Sequence, residues 1–381
     1  MFLFLFILTV AVSAGFQGWR TLFNNFAVDE IGLNGFLVGA TQSFREVPGF
    51  LAFTVIFVLF LMREERLIVY ATGLMGLGVL LTGFFPSFTG LMATTFIMSV
   101  GFHYFETANQ SLSLQHFSKK ESPHVLANLK SVTAITNILV GGLIFLLAKV
   151  SDFMTSYVVL GAIVILGAIW AYIKTPKQEN AVVQQKKIIL KKKYWLFYML
   201  NFLSGARRQI FVVFSVLLLV EKYEFSVVYI TALFVLNNLV SIFTNPLIAK
   251  MINRFGERIT LSFEYVSLAL IFLAYAYVES PWVAAGLYVL DHVFFNFSIG
   301  IKTYFQKHAE EWDIAPSMAV GFTINHIAAV VLPVLGGYLW LLDWRIPFVG
   351  AAVLSVVSLV FAQFMKPDPV LVTNPEKAEA V

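Results

Sequence analysis

The chain has 381 residues, of which 59% are hydrophobic and 13% charged, with a formal net charge of +4. Soluble domains are about half apolar and about a quarter charged, so this composition cannot furnish a water-soluble surface, and 39 phenylalanines point to lipid as the solvent. Cysteine is absent, which excludes disulfides, thiolate metal sites, iron-sulfur clusters and a thiol nucleophile; no basic stripe with interleaved aromatics supports nucleic-acid binding.

A membrane-crossing helix needs about 20 mostly apolar residues. Twelve such runs are predicted, over 2–24, 33–62, 66–85, 88–114, 124–150, 155–174, 194–219, 225–250, 258–278, 281–305, 315–341 and 346–365. The first has a rival reading, because Phe2 to Val12 followed by Ser13-Ala14-Gly15 resembles a signal-peptide core and cleavage site. Against it, Met1 is followed at once by apolar residues where a signal carries positive charge, and the apolar run continues from Trp19 to Leu22. Of the 26 Lys and Arg residues, only Lys149, Lys222 and Arg345 fall in odd-numbered connections. The positive-inside rule therefore predicts cytoplasmic N- and C-termini and a multi-pass protein of the cell membrane.

Residues 1–174 read as an N-terminal six-helix bundle, 175–193 as a cytoplasmic linker, 194–366 as a C-terminal six-helix bundle and 367–381 as a disordered cytoplasmic tail. The run Lys191-Lys192-Lys193 in the linker reads as a solvated topology signal, with attraction to anionic headgroups as the rival. Sliding the second half onto the first aligns Gly15 with Gly205, Arg63 with Arg254 and Gln115 with Gln306. Gly141-Gly142 falls on Gly336-Gly337 after a small insertion around Glu310-Glu311-Trp312, the signature of a parallel repeat.

Every third helix carries a polar stripe. The first shows Ser13, Gln17, Arg20 and Asn24; the fourth Ser99, His103, Glu106, Gln110 and Ser113; the seventh Asn201, Ser204, Arg208 and Ser215; the tenth Tyr288, His292 and Asn296 beside Asp291. Steps of three and four keep such residues on one helical face. Helices three, six and twelve are apolar nearly all round, as is helix nine beyond Glu264. A polar face inside a membrane must meet protein or a watery cavity, so helices one, four, seven and ten are predicted to line a central path.

Over residues 1–365 the chain resembles the major facilitator superfamily. Its loop motif, close to GxxxDRxGRR, appears as Ala249-Lys250-Met251-Ile252-Asn253-Arg254-Phe255-Gly256-Glu257-Arg258. Arg254, Gly256 and Arg258 are kept; Ala249 replaces the first Gly, Asn253 the Asp and Glu257 a basic residue. The first copy is reduced to Arg63 and Arg66. The resemblance implies an all-α membrane fold of two parallel six-helix repeats around a cavity lined by helices one, four, seven and ten. It also implies a gating role for the loop, which helps to lock the outward-facing state through charge pairs; the departures bear on that lock and not on the fold. The family's antiporter signature on helix five, Gly-Pro followed by Gly-Gly, is reduced to Gly141-Gly142, while helix eleven keeps Pro333-Val334-Leu335-Gly336-Gly337.

An ionised side chain at mid-bilayer costs about 2.5–3.5 kcal/mol, so each needs a partner or a use. Glu106 and His103 lie one turn apart and are placed to share a proton or a cationic group. Glu106, Asp291 and Glu46 are the proton-coupling candidates, the rival for the first two being a fixed ion pair with Arg20 or Arg208. Of Arg207 and Arg208 at most one points into the path, because neighbouring residues face about 100° apart; Arg208 shares the stripe and suits a carboxylate or phosphate on the solute. Arg45-Glu46 before Pro48 reads as a gate or packing element, with proton coupling at Glu46 as the alternative. Lys130 and Glu264 read as snorkelling groups, and His326 as a satisfied interior histidine. Metal-ligand spacing, a phosphate loop and a nucleophile motif are all lacking, so neither an enzyme nor a cofactor is expected.

The expected function is proton-coupled secondary transport of a small organic solute by alternating access, in a monomer whose partners are the solute, protons and the bilayer. An exporter of lipophilic compounds or lipids, and a non-transporting sensor or assembly partner, are the alternatives.

Overall fold

The computed structural model describes residues 1–33, 35–176, 184, 187–225 and 227–366. The predicted tail, and linker residues 177–183, 185 and 186, lie outside the described residues. The first predicted run is α1 (Phe2–Asn25), continued by a π turn over Phe26–Glu30. The second is broken. Helix α2 (Gly35–Arg45) stops before α3 (Val47–Phe50), and a 3-10 turn over Ala52–Thr54 leads into α4 (Val55–Val58). Pro48 is the cause, since it lacks an N–H and its ring crowds the carbonyl four residues earlier.

Helices α5 (Glu64–Thr82), α6 (Phe88–His116), α7 (Ser122–Val150) and α8 (Phe153–Ile173) follow the next four predicted runs closely. Asp152 caps α8 by accepting from the Thr155 N–H at 2.8 Å. Helix α9 (Trp195–Ile210) runs on through π turns over Phe211–Ser215 and Leu218–Lys222. The segment α10 (Val227–Tyr277) holds two rods that meet at Gly256, where φ is 77° and ψ 166°. A side chain is strained at that φ, which is why glycine stands there. Helices α11 (Pro281–Phe295) and α12 (Ile299–His308) are joined by a 3-10 turn over Asn296–Ser298; α13 (Ile314–Leu342) and α14 (Arg345–Ala362) complete the order. No strand occurs among the described residues.

Among the described residues, eight helical segments are long and apolar enough to cross a membrane. Helix α6, at 29 residues, is not among them, because His103, Glu106 and the hydroxyls of its stripe lower its hydropathy. The chain is a multi-pass membrane protein, and its exposed surface fits that solvent: Leu139 is 68% exposed, Phe243 72% and Leu270 63%.

Two compact units emerge from the packing. The first comprises Met1–His116, Val132–Ile188 and Trp312–Thr323; the second Phe117–Ser131, Ile189–Glu311 and the chain from Ile324. In the first, α5 packs against α6 and α8, and α1 against α8. Small residues permit the approach, for a Cβ at Gly78 would overlap the backbone of Met98 and one at Gly101 that of Met75. Hydroxyls in this unit donate back to their own helices, Thr72 to the Ile68 carbonyl and Thr82 to that of Gly78, and so need no partner from lipid. In the second unit α10 packs against α14 and α11, around a core in which Tyr275 stacks on Phe348 at 5.0 Å. Two lysines of the solvated run share one carboxylate here. Lys191 Nζ lies 3.1 Å from Glu310 Oε2 and Lys193 pairs with Oε1 of the same carboxylate. Those two lysines hold the Glu310 carboxyl down to about 2, below its usual 4.5.

Candidate functional site

Each unit carries a cluster of charged groups on its helices. In the first it is built on the break before α3. The carbonyl of Arg45, released from the helical ladder there, accepts from the hydroxyl of Ser99 on α6. Arg45 reaches sideways to the adjacent Glu46 in a tight ion pair whose side chains are 19% and 23% exposed. His103 Nδ1 lies 2.9 Å from the Ser99 carbonyl, which can only accept, so Nδ1 carries the hydrogen and Nε2 is turned outward. Nε2 stands 4.0 Å from Glu46 Oε2, an ion pair if the imidazole is protonated. The acid set opposite His103 is therefore Glu46, where the sequence suggested Glu106. The imidazole points back along α6 towards Ser99, away from the C-terminal side where Glu106 stands. The Arg45 guanidinium lies 5.5 Å from the Phe16 ring, which stacks on Phe102 at 4.1 Å.

Of the other stripe residues of this unit, Ser13 donates to the Thr133 hydroxyl of α7 at 3.0 Å, and others bond within their own helix. Glu106 accepts from Gln110 at 3.2 Å, and Arg20 donates to Gln17 at 2.8 Å. Arg20 and Asn24 are exposed on α1, while Gln17 and Glu106 are half-buried.

The second cluster is dry. Arg207 on α9, Glu264 on α10 and Asp291 on α11 are 3%, 2% and 2% exposed. Arg207 donates to the Ser358 hydroxyl of α14, lies 3.7 Å from Glu264 Oε1, and sits 4.6 Å from the Tyr265 ring centroid. A cavity of about 10 Å³, the room of a single water, is lined by Ser204, Arg207, Arg208, Phe211, Glu264, Leu268, Asp291 and Phe295. Asp291 Oδ2, Glu264 Oε2 and Arg207 Nε are buried without a hydrogen-bond partner among the described residues. Two carboxyls thus share the field of Arg207, with half-buried Arg208 on the cavity wall.

Several expectations change here. Glu264, read as snorkelling, is buried and paired with Arg207. Arg207 pairs with the buried carboxylate of Glu264, because it faces α10 and α14. Lys130, also read as snorkelling, donates to Asn296 Oδ1 at 3.0 Å, and Asn296 donates to Ser241 at 3.3 Å. The Asn201 side chain donates to the Phe197 carbonyl at 2.8 Å, while its backbone carbonyl accepts from Asn325 at 3.0 Å, beside the close approach of α13 to Gly205. Tyr288 stacks on Phe211 at 5.1 Å, with His292 at 6.1 Å from the same ring. His326 is buried.

The predicted gating loop is held by substituted contacts. Glu257, in place of a basic residue, lies 3.0 Å from Lys307 in a buried pair. Asn253, in place of Asp, donates to the Lys120 carbonyl at 2.8 Å, and Arg258 donates to Gln363 at 3.1 Å. Ala249 is fully buried and Arg254 is exposed over Phe255. Arg207 and Glu264 are the functional candidates that the sequence hid; the one signal for them was that a carboxylate in an apolar helix demands a partner.

Solved structures similar in fold include the following three. A Major Facilitator Superfamily transporter, FucP, in the outward conformation superposes with a TM-score of 0.78 at 15% identity, covering 96% of this chain and 98% of that one. A bacterial homologue of the iron transporter ferroportin in the outward-facing state gives 0.76 at 14% identity over 96% and 98%. The human organic anion transporter MFSD10 gives 0.76 at 10% identity over 95% and 98%. No curated protein matches the sequence. The sequence profile of the Major Facilitator Superfamily matches residues 1–311, and the chain belongs to that superfamily.

Proposed function

We propose that the chain is a proton-coupled secondary transporter that moves a small anionic or zwitterionic organic solute by alternating access. The observation that carries the coupling is Asp291, fully buried beside a water-sized cavity, with one carboxyl oxygen unpartnered and Glu264 competing for the same arginine. A carboxyl in that position is neutral when it holds a proton and a counter-ion for Arg207 when it does not, so loading and release of the proton changes the charge of the cluster. Arg208, on the cavity wall, supplies the fork for a carboxylate or phosphate on the solute. Support by analogy comes from two fold relatives, the E. coli fucose:proton symporter and the organic anion transporter; at 16% and 10% identity they lend the architecture and not the residues.

The proposal includes twelve crossings in two six-helix bundles, with both termini cytoplasmic. Because the chain has no native cysteine, single cysteines beside Lys149 and Lys120 report sidedness directly. Labelling from outside at the first and not the second is expected; the reverse pattern overturns the topology.

Transport is tested in proteoliposomes carrying a pH-sensitive dye, with pools of organic acids, amino acids, sugars and lipophilic amines. Solute-dependent proton flux is expected in the wild type and is lost in Asp291→Asn. Flux retained in that variant removes Asp291 from the coupling role and returns Glu106 and Glu46 as candidates. Transport unchanged in Arg208→Gln sinks the anionic assignment, and silence from every hydrophilic pool favours export of lipophilic compounds.

A further inference from the structure

A groove in the first unit lies outside both clusters. It has a volume of about 460 Å³, where the chain enters α5 and leaves α8, and its walls include Leu61, Arg63, Arg66, Tyr172, Ile173 and Thr175. Its polar groups divide into spent and free. Arg63 is held by Glu65 at 2.9 Å and 3.3 Å, and Glu65, also on the wall, is 4% exposed, so that pair is anchored and neutral. The Thr175 hydroxyl donates to the carbonyls of Ala171 and Tyr172. Arg66 is exposed, and its side chain has no protein partner among the described residues. Exposed Lys174 adds charge at the C-terminal end of α8.

Around these cations the walls are apolar. Leu61 is 83% exposed and Ile173 71%, and Tyr172 is 56% exposed with its ring 6.3 Å from that of Tyr70. Tyrosines beside cations at helix ends mark the headgroup level of a membrane, and the positive-inside reading puts this end in the cytoplasmic leaflet, where anionic lipids concentrate. We propose that the groove binds an anionic phospholipid, with Arg66 on the phosphate, the two tyrosines at the interface, and Leu61 and Ile173 against the acyl chains. A soluble phosphate matches Arg66 but leaves Leu61 and Ile173 without a use.

The test is native mass spectrometry of the delipidated full-length chain, titrated with phosphatidylglycerol and with phosphatidylcholine of the same acyl chains. Tighter binding of phosphatidylglycerol is expected. Arg66→Gln is expected to lower that preference about fivefold, the effect of one basic residue beside an anionic headgroup. Since the Arg66 side chain bonds nothing among the described residues, the lipid-free melting temperature is expected to stay unchanged. Lys250→Gln, at another exposed helix end, is expected to leave the preference intact. Equal binding of the two lipids, or an unaltered preference in Arg66→Gln, overturns the proposal. Displacement of the lipid by glycerol phosphate, at an ionic strength where chloride does not displace it, reassigns the groove to a soluble anion and equally overturns it.

Discussion

Both units place an arginine beside a glutamate, and they do it in opposite surroundings. Arg45 and Glu46 are 19% and 23% exposed and adjoin a histidine, whereas Arg207 and Glu264 are 4% and 2% exposed and share their field with Asp291. The partly exposed pair can exchange its partner for water at smaller cost. The dry pair cannot, because removing either member leaves an uncompensated charge in a medium that does not solvate it. Under the proposed function, the same two residue types would serve different tasks: a gate in the first unit, and in the second a store for one proton whose occupancy alters the charge of the cluster.

The sharpest way to break this contrast is Arg207→Gln, which strands Glu264 and Asp291. A loss of about 3–5 kcal/mol is expected, read as a large fall in melting temperature in detergent. Arg45→Gln is expected to cost about 1 kcal/mol or less, as for partly solvated pairs. Equal losses in the two variants would end the comparison. Replacing Arg207 and Glu264 together by Met and Leu sharpens it further, since the double variant is expected to be more stable than Arg207→Gln alone. Within the first unit, Ser99→Ala leaves the Arg45 carbonyl without its donor and is expected to cost about 1 kcal/mol, measured in the same melt.

The smallest expected effect lies at the Lys191, Lys193 and Glu310 triad. Because the folded Glu310 carboxyl titrates near 2, below its ordinary 4.5, its stabilisation is fully present above about 4.5 and is lost as pH falls towards 2. The gap in melting temperature between wild type and Glu310→Gln should therefore be constant at neutral pH and close over that window. A gap that persists at pH 2 would show that the carboxylate charge is not its source.

Much of the fold was legible because a bilayer imposes a coarse rule. A helix in lipid must satisfy its own backbone and show apolar side chains outward, so run length and punctuation locate helices to within a few residues, as for α6 and α7. Local chemistry was legible where one residue suffices. Pro48 breaks the second run, and Gly256 takes the positive φ between the rods of α10.

What only the tertiary structure decided is which charges meet. Whether Arg207 or Arg208 turns inward depends on α10 and α14, whose Glu264 and Ser358 are distant in sequence and unmarked by any period. The imidazole of His103 faces Glu46 because the broken helix bares the Arg45 carbonyl to Ser99, which then anchors Nδ1. A hydrophobic pattern records how each helix meets its solvent and is silent on its rotation against a neighbour. Pairing of buried charges is set by that rotation, over distances of a few ångströms that sequence spacing does not encode.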